Sequence, residues 1–201
     1  MKKDRFVAFF DAVMAIIMTI VVLEFVIPSG TDWSDLTVLA FQIIAYAVSF
    51  FWLGGMWINI HGIWQDVEEI DRPILWTNIA LLFFASMIPF FTVYFGRNIT
   101  ERVPAMLYSI DVMLITLTNL ASIEMLARKN EKIRLNAKRF AVSEFFDLGV
   151  KTVGIIVGIT VFPSAILISV LVSIVLLAFV RITVGKKQGK DITEEKNRVK
   201  I

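Results

Sequence analysis

Ionisable side chains stand inside otherwise apolar stretches of this sequence. Asp11 and Asp111 each interrupt a long apolar run, and Asp147 and Lys151 stand four residues apart in a weaker one. Residues four apart share a helix face, so Asp147 and Lys151 can pair with each other. An unpaired ionised carboxylate inside a bilayer costs on the order of several kcal/mol. Such groups therefore hold helices together, face a water-filled space or carry protons.

The composition assigns these residues to a membrane protein. The chain has 201 residues, of which 57% are hydrophobic and 19% charged, and its mean hydropathy is +0.75. Average soluble domains are about 45–50% apolar, and one core of this size cannot bury so much apolar surface. The absence of cysteine excludes disulfides and thiolate metal sites, and the single histidine disfavours a conventional His-ligated centre. A membrane enzyme is disfavoured, because no Ser/His, metal-ligand or carboxylate-dyad spacing is present.

Six segments are predicted to cross the bilayer, each of which needs about 20 residues as a helix. The predicted spans lie at about residues 7–27, 37–60, 74–95, 103–123, 141–162 and 165–184. The fifth is the least apolar, and a tight turn at residues 162–164 joins it to the sixth as a hairpin. We therefore expect an all-α integral membrane protein with one six-helix domain over residues 1–184 and a polar tail over residues 185–201.

Lysine and arginine residues are distributed very unevenly between the predicted loops. If both termini are inside, seventeen of these residues lie on the inner side and two on the outer side. Such asymmetry is the positive-inside signal that sets orientation. We expect a multi-pass protein of the cell membrane with both termini in the cytoplasm.

The first span carries two lines of residues at helical spacing. The bulky line alternates steps of four and three, the period of a packed seam, and comprises Phe9, Val13, Ile16, Ile20, Leu23 and Ile27. The small line beside it allows close approach of another backbone and comprises Ala8, Ala12, Ala15 and Thr19. This pattern is typical of a symmetric cluster in which the bulky line points towards the axis. The alternative is an ordinary helix buried inside one chain.

The opening of this helix resembles the signature of a known family. Residues 5–11 read Arg-Phe-Val-Ala-Phe-Phe-Asp and are similar to the RxxxFSD motif that opens the first helix of the transmembrane protein 175 potassium channels. Residues 57–61 (Trp-Ile-Asn-Ile-His), Asn78 and residues 88–90 (Ile-Pro-Phe) also resemble that family. Phe10 departs from the motif because it replaces the Ser. Packing would have to replace any hydrogen bond made by that hydroxyl.

The resemblance implies a pore lined by the first helix. In that family an Ile five residues after the signature Asp forms a constriction, which corresponds to Ile16, and further pore-lining apolar positions correspond to Ile20 and Leu23. Thr19 corresponds to a ring of hydroxyls, so that K⁺ would pass transiently at the level of Thr19 and Ile16. An apolar neck blocks ions by dewetting, and we expect it to prefer K⁺ over Na⁺ only modestly.

The resemblance also implies an assembly and an inner structural network. The animal channel has two repeats per chain and this chain has one, so a closed pore requires a homotetramer. The expected partners are three further copies, membrane lipid and permeant monovalent cations, with no nucleic acid and no cofactor beyond the permeant K⁺. The implied network comprises Arg5, Phe9, Asp11, Trp57, His61 and Asn78. For His61 the alternative is a solvent-facing position at a helix end.

A second function class remains open from the sequence, a proton-coupled secondary transporter that uses Asp111, Asp147 and Lys151. Such transporters bind their substrate at the midplane between broken helices and often contain an internal repeat. Neither feature is found in the sequence. Asp111 is equally interpreted as a satisfied buried carboxylate, and Asp147 with Lys151 as a structural pair.

Overall fold

The computed structural model describes residues 3–33, 35–176 and 178, without the side chains of residues 132 and 135–141, and the described chain is helical and contains no strand. Its α-helices are α1 Lys3–Ile20, α2 Leu36–Gln65, α3 Arg72–Ala85, α4 Ile88–Arg97, α5 Arg102–Lys129, α6 Arg134–Thr160 and α7 Ala165–Leu176. Two 3-10 turns extend α1 and join α5 to α6, at Val21–Glu24 and Glu131–Ile133 respectively.

Four helical stretches are long and apolar enough to cross a membrane: Lys3–Glu24, Leu36–Gln65, Arg72–Arg97 and Arg102–Lys129. They overlap the first four predicted spans. α6 begins well before residue 141 and carries several charged residues. α7 begins at residue 165, where the sixth span is predicted, and is described as far as Leu176. Residues 179–184 and the tail 185–201 lie outside the described residues, so the six-span count stays a prediction.

The first span ends earlier than its apolarity predicts. The α-helix stops at Ile20, the 3-10 turn stops at Glu24, and Phe25 is extended with ψ 137°. The buried amide of Gln42 explains this boundary, because its Oε1 accepts from the N–H of Val26 at 3.2 Å. A side chain of α2 thus replaces the next helical hydrogen bond. Leu23 consequently lies in the 3-10 turn, and Ile27 lies beyond the helix.

The third span is two helices rather than one. Asp71 caps the start of α3 by accepting from the N–H of Ile74 at 3.1 Å, with Pro73 in the first turn. The break before α4 lies at Ser86 and Met87, just before Pro89, which has no N–H to donate. The hydroxyl of Ser86 donates to the carbonyl of Phe83 at 2.7 Å. The span is therefore interrupted where the sequence predicts one continuous helix.

α5 lies at the centre of the described bundle and packs against α3, α4 and α6, while α4 packs against α2. Gly96 permits the last contact, because a Cβ there would come within 2.9 Å of the Cα of Gln42. A buried hydroxyl network joins three of these helices: Ser49 of α2 bonds to Thr92 of α4 at 2.9 Å and to Tyr108 of α5 at 3.0 Å. α1 lies on the outside of this group and rests mainly on α2.

α6 and α7 form the predicted hairpin through the turn at residues 161–164. The N–H of Ala165 donates to the carbonyl of Phe162 at 3.1 Å. Glycines let the two helices touch: a Cβ on Gly154 would lie 2.2 Å from Ser169, and a Cβ on Gly158 would lie 2.7 Å from Ile166. Larger residues at either glycine would force the hairpin apart.

Candidate functional site

α1 has one face inside the bundle and one exposed face. The inner face is buried and comprises Phe6, Phe10, Met14, Ile17 and Val21. On the opposite side Ile16 is 61% exposed, Ile20 40% and Leu23 81%. The small line of the sequence is exposed as well. α1 is therefore not a helix buried within one chain, and we call its exposed surface, formed by Ala8, Phe9, Ala12, Ala15, Ile16, Thr19, Ile20 and Leu23, the α1 face.

Phe10, the departure from the family motif, lies on the inner face. Its ring centroid lies 6.4 Å from that of Phe6, which in turn lies 5.6 Å from Trp64 of α2. The residue is 2% exposed. An aromatic ring thus takes the position of the signature hydroxyl and packs beside Phe6 in the buried core. Packing, rather than a polar bond from this side chain, holds the helix at that level.

Thr19 lies on the α1 face with its hydroxyl directed back to its own helix. The Oγ1 donates to the carbonyl of Ala15 at 2.9 Å and lies 3.2 Å from that of Ile16. A hydroxyl has one proton and two acceptor lone pairs. Because the proton is used on the backbone, the remaining lone-pair density of this exposed oxygen is available to a cation.

Asp11 joins α1 to α2 on the partly exposed side of their contact. Its Oδ1 accepts from the indole N–H of Trp57 at 2.8 Å, and its Oδ2 lies 3.6 Å from Nδ1 of His61. The rings of Trp57 and His61 are tilted, with centroids 5.4 Å apart. The side chain of Asp11 is 31% exposed. The carboxylate is therefore paired by hydrogen bonding and near an imidazole instead of standing alone in the membrane.

The other residues of the implied network lie elsewhere. Arg5 is exposed, and Phe9 is 51% exposed on the α1 face. Asn78 is fully buried between α3 and α5, where its Nδ2 donates to the carbonyl of Ile74 at 2.8 Å and to the hydroxyl of Ser122 at 2.9 Å. The structure thus brings Asp11, Trp57 and His61 together and places Asn78 in a separate interhelical bond, because the inner side of α3 faces α5.

A second polar group lies inside the bundle between α2, α5 and α6. Lys151 bonds to Asp147, donates to the Oγ1 of Thr116 at 2.7 Å, and lies 4.5 Å from the ring centroid of Trp52. Both members of the ion pair are at most 2% exposed. Asn119 of α5 donates to Glu144 of α6 at 3.2 Å.

Asp111 lies on the same helix as Thr116 but outside these bonds. The carboxylate is buried, and its Oδ2 has no hydrogen-bond partner among the described residues. Asp147 and Lys151 therefore hold each other, Lys151 and Glu144 also bond to α5, and Asp111 does not join them through a hydrogen bond. No group of three or more metal-ligating side chains occurs in the described residues.

Several polar partners are not identified by any pattern in the sequence. Ser122, Gln42 and Asn130 each make an interhelical or loop contact that no local pattern assigns to them. The sequence does contain one indication of a buried polar face. Thr116, Asn119 and Ser122 follow one another at intervals of three residues and so form a polar line along an apolar helix. That line predicts a buried polar face, but it does not identify the opposing residues.

These features define a multi-span helical membrane protein: the helices are long and apolar, the first helix has an exposed apolar face, and charged residues in the interior form an ion pair. A family model described as "Endosomal/lysosomal potassium channel TMEM175" matches residues 5–89. A potassium channel of a Chryseobacterium species is 33% identical over 159 residues, which cover 76% of this chain and 83% of that protein. The chain belongs to the TMEM175 family of potassium channels.

Two further proteins extend this comparison. A potassium channel of Streptomyces collinus is 30% identical over 124 residues, which cover 58% of this chain and 60% of that protein. The fold is similar to the crystal structure of a lysosomal potassium-selective channel TMEM175 homolog from Chamaesiphon minutus, with a TM-score of 0.71 and 23% identity. That match covers 90% of this chain and 97% of the other. The family resemblance drawn from residues 5–11 is thereby confirmed, and the proteins it joins are channels rather than enzymes.

Proposed function

We propose that this chain is a K⁺-permeable cation channel in which four copies place α1 around a central pore. The observation that carries the proposal is the α1 face, where bulky and small residues lie exposed side by side on a helix whose other side is packed. Around a symmetry axis, the small line allows neighbouring helices to approach closely and the bulky line narrows the centre. A helix face that contacts only lipid does not require its bulky and small residues to lie in two separate lines.

The neck of the pore is formed by Ile16, Ile20 and Leu23. Rings of branched side chains exclude bulk water and block ions without any charge, and separating the α1 helices widens the rings. An ion that enters must give up part of its hydration shell. Because K⁺ holds its shell less tightly than Na⁺, the neck favours K⁺ modestly.

Thr19 supplies the polar level within this neck. Its hydroxyl proton is engaged by the backbone, so four such oxygens offer lone pairs to a partly dehydrated cation. Permeant K⁺ is bound only transiently at the level of Thr19 and Ile16.

The chain crosses the cell membrane six times, with α6 and α7 as the fifth and sixth spans and both termini in the cytoplasm. The positive-inside asymmetry supports this orientation. At the inner end of α1, the bond from Trp57 to Asp11 fixes the helix against α2, and Arg5 lies one turn and a half below it. Membrane lipid and monovalent cations are the other partners.

A proton-coupled transporter has weaker support. The similar proteins are named potassium channels. In addition, Lys151 is held by Asp147 and Thr116 in the bundle core, which suits a structural role.

Reconstituted protein tests the proposal through the reversal potential between K⁺ and Na⁺ solutions. Wild-type channels should reverse towards the potassium potential. Ile16→Asn should wet the neck, raise the conductance and weaken the preference for K⁺. The matched control is Ile58→Asn on α2, where the isoleucine is 47% exposed. If Ile16→Asn leaves conductance and preference at the control values, Ile16 does not line the pore and the proposal fails.

A further inference from the structure

The outer surface of α6 carries an apolar groove. It has a volume of about 530 Å³ and is lined by Phe145, Phe146, Gly149, Val150 and Val153, which we call the α6 groove. Phe146 is 72% exposed and Val153 61%. A Cβ built on Gly149 meets no atom within 4 Å. The missing side chain of this glycine therefore leaves a notch between two phenylalanines and two valines.

The α6 groove continues into a charged pocket near the start of α6. This second cavity has a volume of about 630 Å³, and Phe145 lines both. Its charged lining alternates in sign and comprises Glu124, Arg128, Glu131 and Arg134. Glu124 and Arg128 pair at 2.9 Å, but both are more than half exposed. An exposed pair of this kind contributes little stability, so its members can turn to another ligand.

The dimensions of the two cavities match one leaflet of a bilayer. The α6 groove runs from Phe145 to Val153, a rise of about 12 Å at 1.5 Å per residue, which fits within one leaflet. The hydrocarbon core is about 30 Å thick, so one leaflet spans about 15 Å. The charged pocket lies at the end of α6 that the positive-inside signal directs to the cytoplasm. It therefore stands at the depth of the headgroups when α6 crosses the membrane.

We propose that the charged pocket and the α6 groove together bind one phospholipid whose headgroup carries a primary amine, a phosphatidylethanolamine. Arg128 and Arg134 donate to the phosphate oxygens, and Glu124 and Glu131 accept from the ammonium group. One acyl chain lies in the α6 groove over Gly149.

The mixed charge of the pocket selects this headgroup among common phospholipids. A choline headgroup has no N–H to donate to the two carboxylates. An anionic headgroup without an amine leaves both carboxylates facing its negative charge, which is unfavourable. The proposal rests on α6 crossing the membrane and not on channel activity.

Native mass spectrometry of the purified full chain tests the site. The protein receives equal amounts of phosphatidylethanolamine, phosphatidylcholine and phosphatidylglycerol with identical acyl chains, and the retained lipid is counted. We expect phosphatidylethanolamine to be retained in preference to the other two. Glu131→Gln should reduce that preference by about tenfold, because a neutral amide oxygen accepts from the ammonium group more weakly than a carboxylate does.

The groove itself is tested with Gly149→Leu, which places a side chain in the notch at a position where an added Cβ meets no atom within 4 Å. Its matched control is Gly55→Leu on α2, where a built Cβ also meets nothing within 4 Å. Gly149→Leu should lose the retained lipid and the control should keep it. Equal retention by the two variants, equal retention of the three headgroups by the wild type, or a preference for phosphatidylglycerol would each overturn the proposal. Loss of K⁺ conductance with unchanged lipid retention would contradict the proposed channel function but not the lipid site.

Discussion

Trp57 of α2 donates its indole N–H to the carboxylate of Asp11 in α1 at 2.8 Å. This bond joins two residues 46 positions apart and is a direct polar link between the exposed helix and the rest of the bundle. The bond also provides a partner for a charged group near the inner end of a span, where an unpaired carboxylate is costly. It therefore serves both the stability of the fold and the position of the α1 face.

Removing the indole donor should loosen α1. We expect Trp57→Phe to lower the free energy of unfolding by about 1–2 kcal/mol, because the lost bond is to a charged group but Asp11 is partly exposed. Denaturant unfolding of the detergent-solubilised protein measures the change. Trp76→Phe is the control, since Trp76 is 69% exposed on α3. Equal stability of the two variants would assign the bond no energetic role.

Breaking the interior ion pair should cost more than breaking an exposed one. Lys151→Met leaves Asp147 buried without its cation, and we expect a loss of about 3–5 kcal/mol in unfolding free energy. Arg128→Met disrupts the exposed pair with Glu124, which has the same four-residue spacing, and should cost under about 0.5 kcal/mol. The double variant Asp147→Leu, Lys151→Met should recover most of the loss. Similar losses for the two single variants would contradict the assigned burial.

Replacing the hydroxyl of Thr19 should reduce K⁺ conductance in reconstituted channels. Thr19→Val keeps the shape of the side chain but removes the oxygen whose lone pairs are free, so the polar level of the proposed neck disappears. Bilayer recording at a fixed K⁺ concentration measures the conductance. Thr152→Val is the control, because Thr152 is also exposed and donates to the carbonyl four residues earlier at 2.7 Å. Unchanged current in Thr19→Val would remove this hydroxyl from the ion path.

Asn130 should protect the loop between α2 and α3 from hydrogen exchange. Its Oδ1 accepts from the N–H groups of Glu68 at 2.8 Å and Glu69 at 2.9 Å, which ties the loop to the end of α5. Asn130→Ala should speed exchange at these two amides by about tenfold. Asn98→Ala is the control, because Asn98 donates to the carbonyl of Tyr94, four residues earlier. Unchanged protection in Asn130→Ala would show that other contacts hold the loop.

Some predicted boundaries differ from the structure for a common reason. The first span is predicted to reach residue 27, and the third is predicted as one span over residues 74–95. Both predictions rest on apolarity, which measures whether a segment can enter the membrane and not whether its backbone stays helical. The side chain of Gln42 on α2 accepts from the N–H of Val26 and so ends the first helix, and the break before Pro89 divides the third span.

The class of the protein, its family and the division of α1 into two lines follow from the order of the amino acids alone. These properties are local: apolar length decides membrane insertion, and spacing of three and four decides which residues share a helix face. The motif at residues 5–11 is equally local, so it identified the family without any contact being known.

Which residues face one another depends on how the helices pack. Periodicity defines the faces of a helix but not its rotation against a neighbour, and that rotation directs Phe10 inwards and Ile16 outwards. The partners that Asp11, Asn78 and Asn130 find on other elements, Trp57, Ser122 and Glu68, stand 44 or more residues away. Such pairings follow from how whole helices pack, because the free energy of packing is distributed over many contacts that no short stretch of sequence contains.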